Sequence, residues 1–144
     1  MSGVTVRKAT SADLDEVKRL ADSHKHELGF VLRPALAKSI GRDELLVAAN
    51  RSVLAGFVEY HHRRDAQTTL YHLVVDGDHR GLGIGRSLVE ALVSEAQEAG
   101  KSHIQLKCPA DLKANSFYAR VGFSRLGAQS GKKRELVLWR MDLA

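Results

Sequence analysis

Apolar residues recur along this chain at two periods, and the switches between them mark out its elements. Val4 and Val6, beside Arg7, suggest a short first strand. Thr10-Ser11-Ala12-Asp13 then reads as a helix start, with Thr10 as the cap and an acid at the third helical position. Leu14, Val17, Leu20 and Ala21 follow at helical spacing. Pro34 suits a first helical position and opens a short helix carrying Leu36, Ala37 and Ile40. Glu44 to Asn50 and Val53 to His62 read as two strands around the tight Arg51-Ser52 connection, and Thr68 to Val75 as a third run rich in β-branched and aromatic residues. A strong helix comes next: Ile84, Leu88, Leu92 and Ala96 lie four apart, Val89 and Val93 sit beside them, and Arg86, Glu90, Glu95 and Glu98 take the other side. Gly100 terminates it. His103 to Lys107 is another short strand, and Asn115 to Val121 a short helix stopped by Gly122. Phe123 to Leu126 and Glu135 to Met141 form a last strand pair across a Gly127 to Arg134 loop.

Hairpin-linked strands early and a strand-helix-strand crossover in the middle predict an α/β fold whose sheet has parallel and antiparallel parts. No linker, repeat or low-complexity tract interrupts the 144 residues, so residues 1–144 are expected to form one domain. A chain of this length buries roughly two-thirds of its unfolded surface and needs no staples. It has one cysteine, Cys108, which excludes an intrachain disulfide and a multi-cysteine zinc site and fits a reducing cytoplasm. The apolar runs fall far below the roughly 18 residues that span a bilayer, and the start lacks a signal-peptide core, so membrane and secreted readings are set aside. His24-Lys25-His26 and His61-His62 are not at ligand spacing, and no metal is expected.

Charge changes this picture only modestly. With 22 Lys+Arg against 17 Asp+Glu the net charge is +5, a surface that attracts nucleic acid, acidic membrane or a phosphorylated cofactor. The basic runs are short, Lys132-Lys133-Arg134 and Arg63-Arg64. A solvated basic surface is therefore favoured over a polyanion site.

The informative segment is Arg80-Gly81-Leu82-Gly83-Ile84-Gly85-Arg86-Ser87, between a strand and a helix. Glycine lets backbone approach a ligand with no Cβ in the way. A helix N-terminus offers unpaired N–H groups and partial positive charge, which suits a phosphate or pyrophosphate. Arg80 and Arg86 add charge at the rim. The turn is not a Walker A loop: Gly81 to Gly85 is one residue short, and Arg86 stands where lysine should be. Nor is it a dinucleotide fingerprint, because the residue three after Gly83 is Arg86.

Arg80-Gly81-Leu82-Gly83-Ile84-Gly85 resembles the acetyl-CoA signature [RQ]-x-x-G-x-[GA] of the GNAT superfamily of N-acetyltransferases. It follows a strand ending Leu73-Val74-Val75, and further on Asn115-Ser116-Phe117-Tyr118-Ala119-Arg120-Val121-Gly122-Phe123 is similar to the family's N-x-x-F-Y-x-x-x-G-F segment, with one residue rather than two between Asn115 and Phe117. The order of elements fits over nearly the whole chain. The resemblance implies a mixed, mostly antiparallel central sheet with a splayed parallel strand pair, flanked by about four helices. It implies acetyl-CoA as acetyl donor, with no metal. The backbone of Leu73, Val74 and Val75 would pair with the pantetheine arm, amides around Leu82 to Arg86 would hold the pyrophosphate, and Asn115 would contact the cofactor. Tyr118 would protonate the departing thiolate, its reference pKa near 10 matching a thiolate of similar basicity. On that basis the high-pH limb of the rate profile is expected to report Tyr118.

The general base is left open by the sequence. Positions matching Thr69 or Tyr71 carry Glu or His in family members that have a base on this strand, and here they do not. Histidine has a useful reference pKa near 6.5, yet strand alternation points His72 to the opposite face. Glu59, on the preceding strand, is read as exposed and able to act directly or through water. Glu59, His72, a water chain and no dedicated base at all remain the alternatives. The expected function is direct acetyl transfer to a primary amine, on a small molecule or a protein, by a cytoplasmic monomer or homodimer. The acceptor should touch the first two helices, the strand with Glu59 and the Gly127 to Arg134 loop. A non-catalytic acyl-CoA-binding regulator, an acetyltransferase acting on an RNA-linked amine and a nucleic-acid-binding module are the other readings.

Overall fold

A computed structural model describes residues 4–144. The elements are β1 (Val4–Lys8), α1 (Leu14–Ser23), α2 (Lys25–Leu28), α3 (Arg33–Gly41), β2 (Leu45–Asn50), β3 (Val53–His62), β4 (Gln67–Val75), α4 (Ile84–Glu98), β5 (His103–Pro109), α5 (Ala114–Arg120), β6 (Ser124–Ser130) and β7 (Glu135–Asp142). The seven strands form one sheet in the order β1-β2-β3-β4-β5-β7-β6. Every neighbouring pair is antiparallel except β4 and β5.

Each face of the sheet carries its own core. The alternation of β2 and β3 sends Leu45, Val47 and Phe57 to one side, where α1 and α3 cover them with Val17, Leu20, Leu36 and Ile40. It sends Leu46, Ala48, Val58 and Tyr60 to the other, against the apolar stripe of α4 and against Tyr118 of α5. Thr10 caps α1 through a one-turn lead-in at Ser11–Asp13: its backbone N–H donates to Asp13 Oδ2 at 2.8 Å.

Three expectations needed adjusting. The short helix α2 was not foreseen; its four residues are too few to show a period. Ala37 is exposed, so α3 buries only Leu36 and Ile40. The stretch expected as a Gly127 to Arg134 loop is mostly strand, with β6 running to Ser130 through a bulge between Arg125 and Gly127. The bulge, together with the polar exposed sequence of an edge strand, hid the periodicity.

Candidate active site

Strands β4 and β5 pair only at their first residues, Gln67 with His103, Thr68 with Ile104 and Thr69 with Gln105. Beyond Thr69 they diverge. The edge of β4 from Leu70 to Val75 is thus turned toward a gap, while its other edge stays bonded to β3. The splay opens on the glycine turn. Together they form a cleft of about 470 Å³ between Leu73, Val75 and the start of α4 on one wall and Ala114, Phe117, Tyr118 and Val121 on the other.

The turn is built for close approach. Gly81 and Gly83 have φ of +81° and +78°, and neither has an atom within 4 Å of where a Cβ would stand. Only glycine takes those angles without strain while leaving the space above free. Gly85 is different: a Cβ there would stand 3.1 Å from Cε1 and Cζ of Phe117 across the cleft. The first intrahelical bond of α4 runs from Ser87 N–H to the Gly83 carbonyl at 3.0 Å, so the N–H groups just before it have no helical acceptor. Arg80, Arg86, Lys113 and Arg120 line the same cleft, against one carboxylate, Glu27 of α2, which pairs with Arg80 at 3.5 Å. Four cations around free amides at a helix N-terminus fit a ligand with several phosphates. Lys113, Arg120 and Glu27 were not legible in the sequence, because they reach the cleft from α2 and from the start and end of α5.

Tyr118 lies at the inner part of this cleft and is only 6% exposed. Its ring packs edge-on against Phe117 and Phe123, with centroids 5.6 and 5.7 Å away. Burial, with smaller contributions from Cys108 and Glu27, holds the hydroxyl well above the ordinary tyrosine range. Burial thus favours the protonated form, and the high-pH limb of the rate profile is not expected to report the titration of this hydroxyl. What remains is an O–H donor on a side chain that lines the cleft.

Asn115 is turned inward. Its Nδ2 donates to the carbonyls of Pro109 and Leu112, both at 2.9 Å, and its Oδ1 accepts from Trp139 Nε1 at 2.9 Å. In this structure it clamps the connection between β5 and α5 onto β7 and so fixes the wall bearing Tyr118. Asn115→Ala would leave the Trp139 N–H unpaired and remove one of the hydrogen bonds to the Pro109 and Leu112 carbonyls, which keep the backbone N–H groups of residues 112 and 115. Unfolding in urea is expected to show a loss of about 2 kcal/mol, from the lost hydrogen bonds and the one donor left without a partner.

Cys108 is buried on β5 and its Sγ faces the Pro109 carbonyl at 3.6 Å. Burial pushes the thiol up to about 11. A folded-state value raised above the unfolded one contributes stability that is complete below the unfolded pKa and is lost as pH rises through the folded one. Stability should therefore decline from about pH 9 to pH 11. Cys108→Ala should make that decline shallower, most clearly below about pH 10, above which the raised Tyr60 and Tyr118 hydroxyls add their own share, as read from urea midpoints across this range.

The candidate bases are not where strand alternation put them. In the pairing of β3 with β4 the register slips by one between Glu59–His72 and Tyr60–Leu70, leaving Tyr71 unpaired. This bulge turns Tyr71 and His72 to the same side of the sheet, the side of α1 and α3. His72 therefore lies on the face of Thr69 and Tyr71, not the opposite one. Glu59 is 4% exposed rather than solvated, and its Oε1 meets His72 Nδ1 at 2.7 Å. On that same face the core under α1 and α3 takes in Val74 near the end of β4. Thr69, Tyr71, Gln105, Lys107, Gln129 and Leu138 there line an open groove of about 690 Å³ beside the splay.

Further along β3, His61 Nδ1 contacts Glu44 at 2.7 Å and His62 Nδ1 contacts Thr68 at 2.8 Å. Among the described residues no group of three or more His, Cys, Asp or Glu side chains could hold a metal ion, and no helix is long and apolar enough to cross a membrane.

A sequence profile described as "Acetyltransferase (GNAT) domain" matches residues 16–144. The chain belongs to the GNAT acetyltransferase family. It is 35% identical to human (Homo sapiens) N-acetyltransferase 8B over 65 residues, which are 44% of this chain and 29% of that protein. The match thus spans less than a third of that relative's length. The fold is that of the Ard1 protein from Thermoplasma volcanium, with a TM-score of 0.88, 18% identity and 99% of each chain covered. N-acetylglutamate synthase from Neisseria gonorrhoeae, solved with coenzyme A and N-acetyl-glutamate, has a TM-score of 0.85 at 18% identity, over 98% of this chain and 35% of that one.

Proposed function

We propose that this chain is an acetyl-CoA-dependent N-acetyltransferase that passes the acetyl group directly to a primary amine in a ternary complex. The observation that carries this reading is the parting of β4 from β5 immediately before a glycine turn whose helix start is ringed by cations. A strand-like pantetheine arm can add to the free edge of β4 along Leu73, Val74 and Val75. The pyrophosphate can rest on the amides of Leu82 to Arg86. The rim charges of Arg80, Arg86, Lys113 and Arg120 suit the remaining phosphate.

Each part of the chain then has a task. Backbone N–H groups on the diverging part of β4 can stabilise the oxyanion as the amine nitrogen bonds to the thioester carbon. As the C–S bond breaks, the Tyr118 hydroxyl donates its hydrogen bond and then its proton to the sulfur, and solvent reprotonates the phenolate. Because burial disfavours that phenolate, the proton passes as the thiolate forms rather than before it. Asn115 acts as a positioning residue through its clamp on the wall of Tyr118. The acceptor amine approaches from the groove of Tyr71, Gln105 and Lys107 on the other face. The single buried cysteine suits a reducing, cytoplasmic setting, with the chain working as a monomer or homodimer.

Release of free thiol from acetyl-CoA tests this with a panel of amines: amino acids, amino sugars and their phosphates, polyamines, peptides with free N-termini or lysines, and aminoacyl-tRNA. Amine-dependent release supports the reading and names the acceptor class. Saturable acetyl-CoA binding with no release for any amine would favour the regulatory acyl-CoA-binding reading instead.

A further inference from the structure

We propose that His72 is the general base that takes the acceptor's proton, and that Glu59 and Ser39 are positioning residues that hold its imidazole for that step. This rests on the acetyltransferase reading above.

The geometry fixes the roles. Glu59 is buried at the level of β3 with both carboxylate oxygens engaged: Oε1 with His72 Nδ1 at 2.7 Å, and Oε2 accepting from the Ser39 hydroxyl of α3 at 2.6 Å. A carboxylate only accepts, so the hydrogen in the His72 contact must sit on Nδ1. That leaves Nε2 with its lone pair free. The His72 side chain is 27% exposed while that of Glu59 is 5% exposed, so the imidazole is anchored from the buried side and open on the other. Leu45 of β2, opposite Glu59, and Ser39 add no charge to the pair.

The place is right for an amine nucleophile. His72 lies between Tyr71, which lines the acceptor groove, and Leu73, which lines the cofactor cleft. It lies three residues beyond the last β4–β5 pair, where the sheet opens. The bulge at Tyr71 is what brings it to the groove side. As the amine nitrogen bonds to the thioester carbon, one N–H proton passes to His72 Nε2. The resulting imidazolium faces the Glu59 carboxylate, then returns its proton to solvent. The sulfur takes its proton from Tyr118, so one proton leaves nitrogen and one reaches sulfur per turnover.

His72→Ala is expected to lower kcat by roughly 10²–10³-fold, with the acetyl-CoA dissociation constant unchanged and added imidazole restoring part of the rate. Glu59→Gln should lower kcat with little change in KM, since a side-chain amide can offer either its oxygen or its NH₂ to Nδ1 and no longer selects one tautomer. Nitrogen-15 NMR of the free protein reads that directly and needs no acceptor. The wild type should show His72 with the proton on Nδ1 when neutral, and Glu59→Gln should show both tautomers. A wild-type His72 protonated on Nε2 instead would overturn the proposal, as would near-wild-type turnover of His72→Ala in a preparation that releases thiol. Failure of the wild type to release thiol with any amine would contradict the acetyltransferase reading itself and the proposal with it. The NMR result then stands as a separate fact about the pair.

Discussion

Gly85→Val is expected to weaken acetyl-CoA binding by at least about 100-fold, which corresponds to about 2.7 kcal/mol. The cause is local and steric. Any Cβ at this position stands 3.1 Å from two atoms of the Phe117 ring and 3.6 Å from Val75 Cγ2. Valine adds two methyl groups to that contact, so Phe117 must swing into the cleft it lines, and the start of α4 moves away from the wall of α5. Phe117 is only partly buried, so the side chain can move without emptying the core, and the fold should survive. Titration calorimetry with acetyl-CoA checks the affinity, and a thermal scan checks the fold. Gly83→Ala is the contrast. Its methyl meets open space, and its cost of about 1–2 kcal/mol is the strain of a left-handed backbone. That variant should lose stability with a smaller loss of affinity. Equal affinity of Gly85→Val and wild type would place the phosphates elsewhere.

Tyr118→Phe should cut kcat by roughly 10²–10³-fold, within the range for removing a positioned acid. The acetyl-CoA affinity and KM should stay close to wild type, because the ring still packs against Phe117 and Phe123 and only a hydroxyl is lost. Burial keeps the hydroxyl protonated well beyond the ordinary tyrosine range. The high-pH side of the rate profile should therefore have the same shape in wild type and variant while its height differs. Steady-state rates between pH 6 and 10 test both statements, with an acceptor for which chemistry is slow. Wild-type turnover in Tyr118→Phe would leave solvent as the proton donor.

The parts of the site that were legible are those written in local sequence. The glycine turn announces itself by composition, α4 by a stripe of apolar residues four apart, and the segment from Asn115 to Phe123 by the spacing of its aromatic residues. Each depends on neighbours within one turn or one strand. What was not legible depends on pairing between distant strands. The bulge at Tyr71 is a property of the register between β3 and β4, and strict alternation along β4 alone put His72 on the wrong face. Glu59 reads as exposed in isolation; its burial comes from α3, whose Ser39 lies twenty residues away in sequence. Asn115 could be placed on a helix, but its acceptance of the Trp139 N–H follows only once β7 lies beside β5. Gly56 looks like an ordinary strand residue, yet any Cβ at that position would strike the Val74 carbonyl oxygen. That close approach lets β4 lie where its free edge faces the cleft.

Amide hydrogen exchange with and without saturating acetyl-CoA tests most directly whether this cleft is the cofactor site. New protection is expected in two segments, Leu73 to Val75 on the free edge of β4 and Leu82 to Arg86 at the start of α4. The amides of β1, at the far edge of the sheet, should exchange as before. Protection confined to other parts of the chain, or none at millimolar acetyl-CoA, would contradict it.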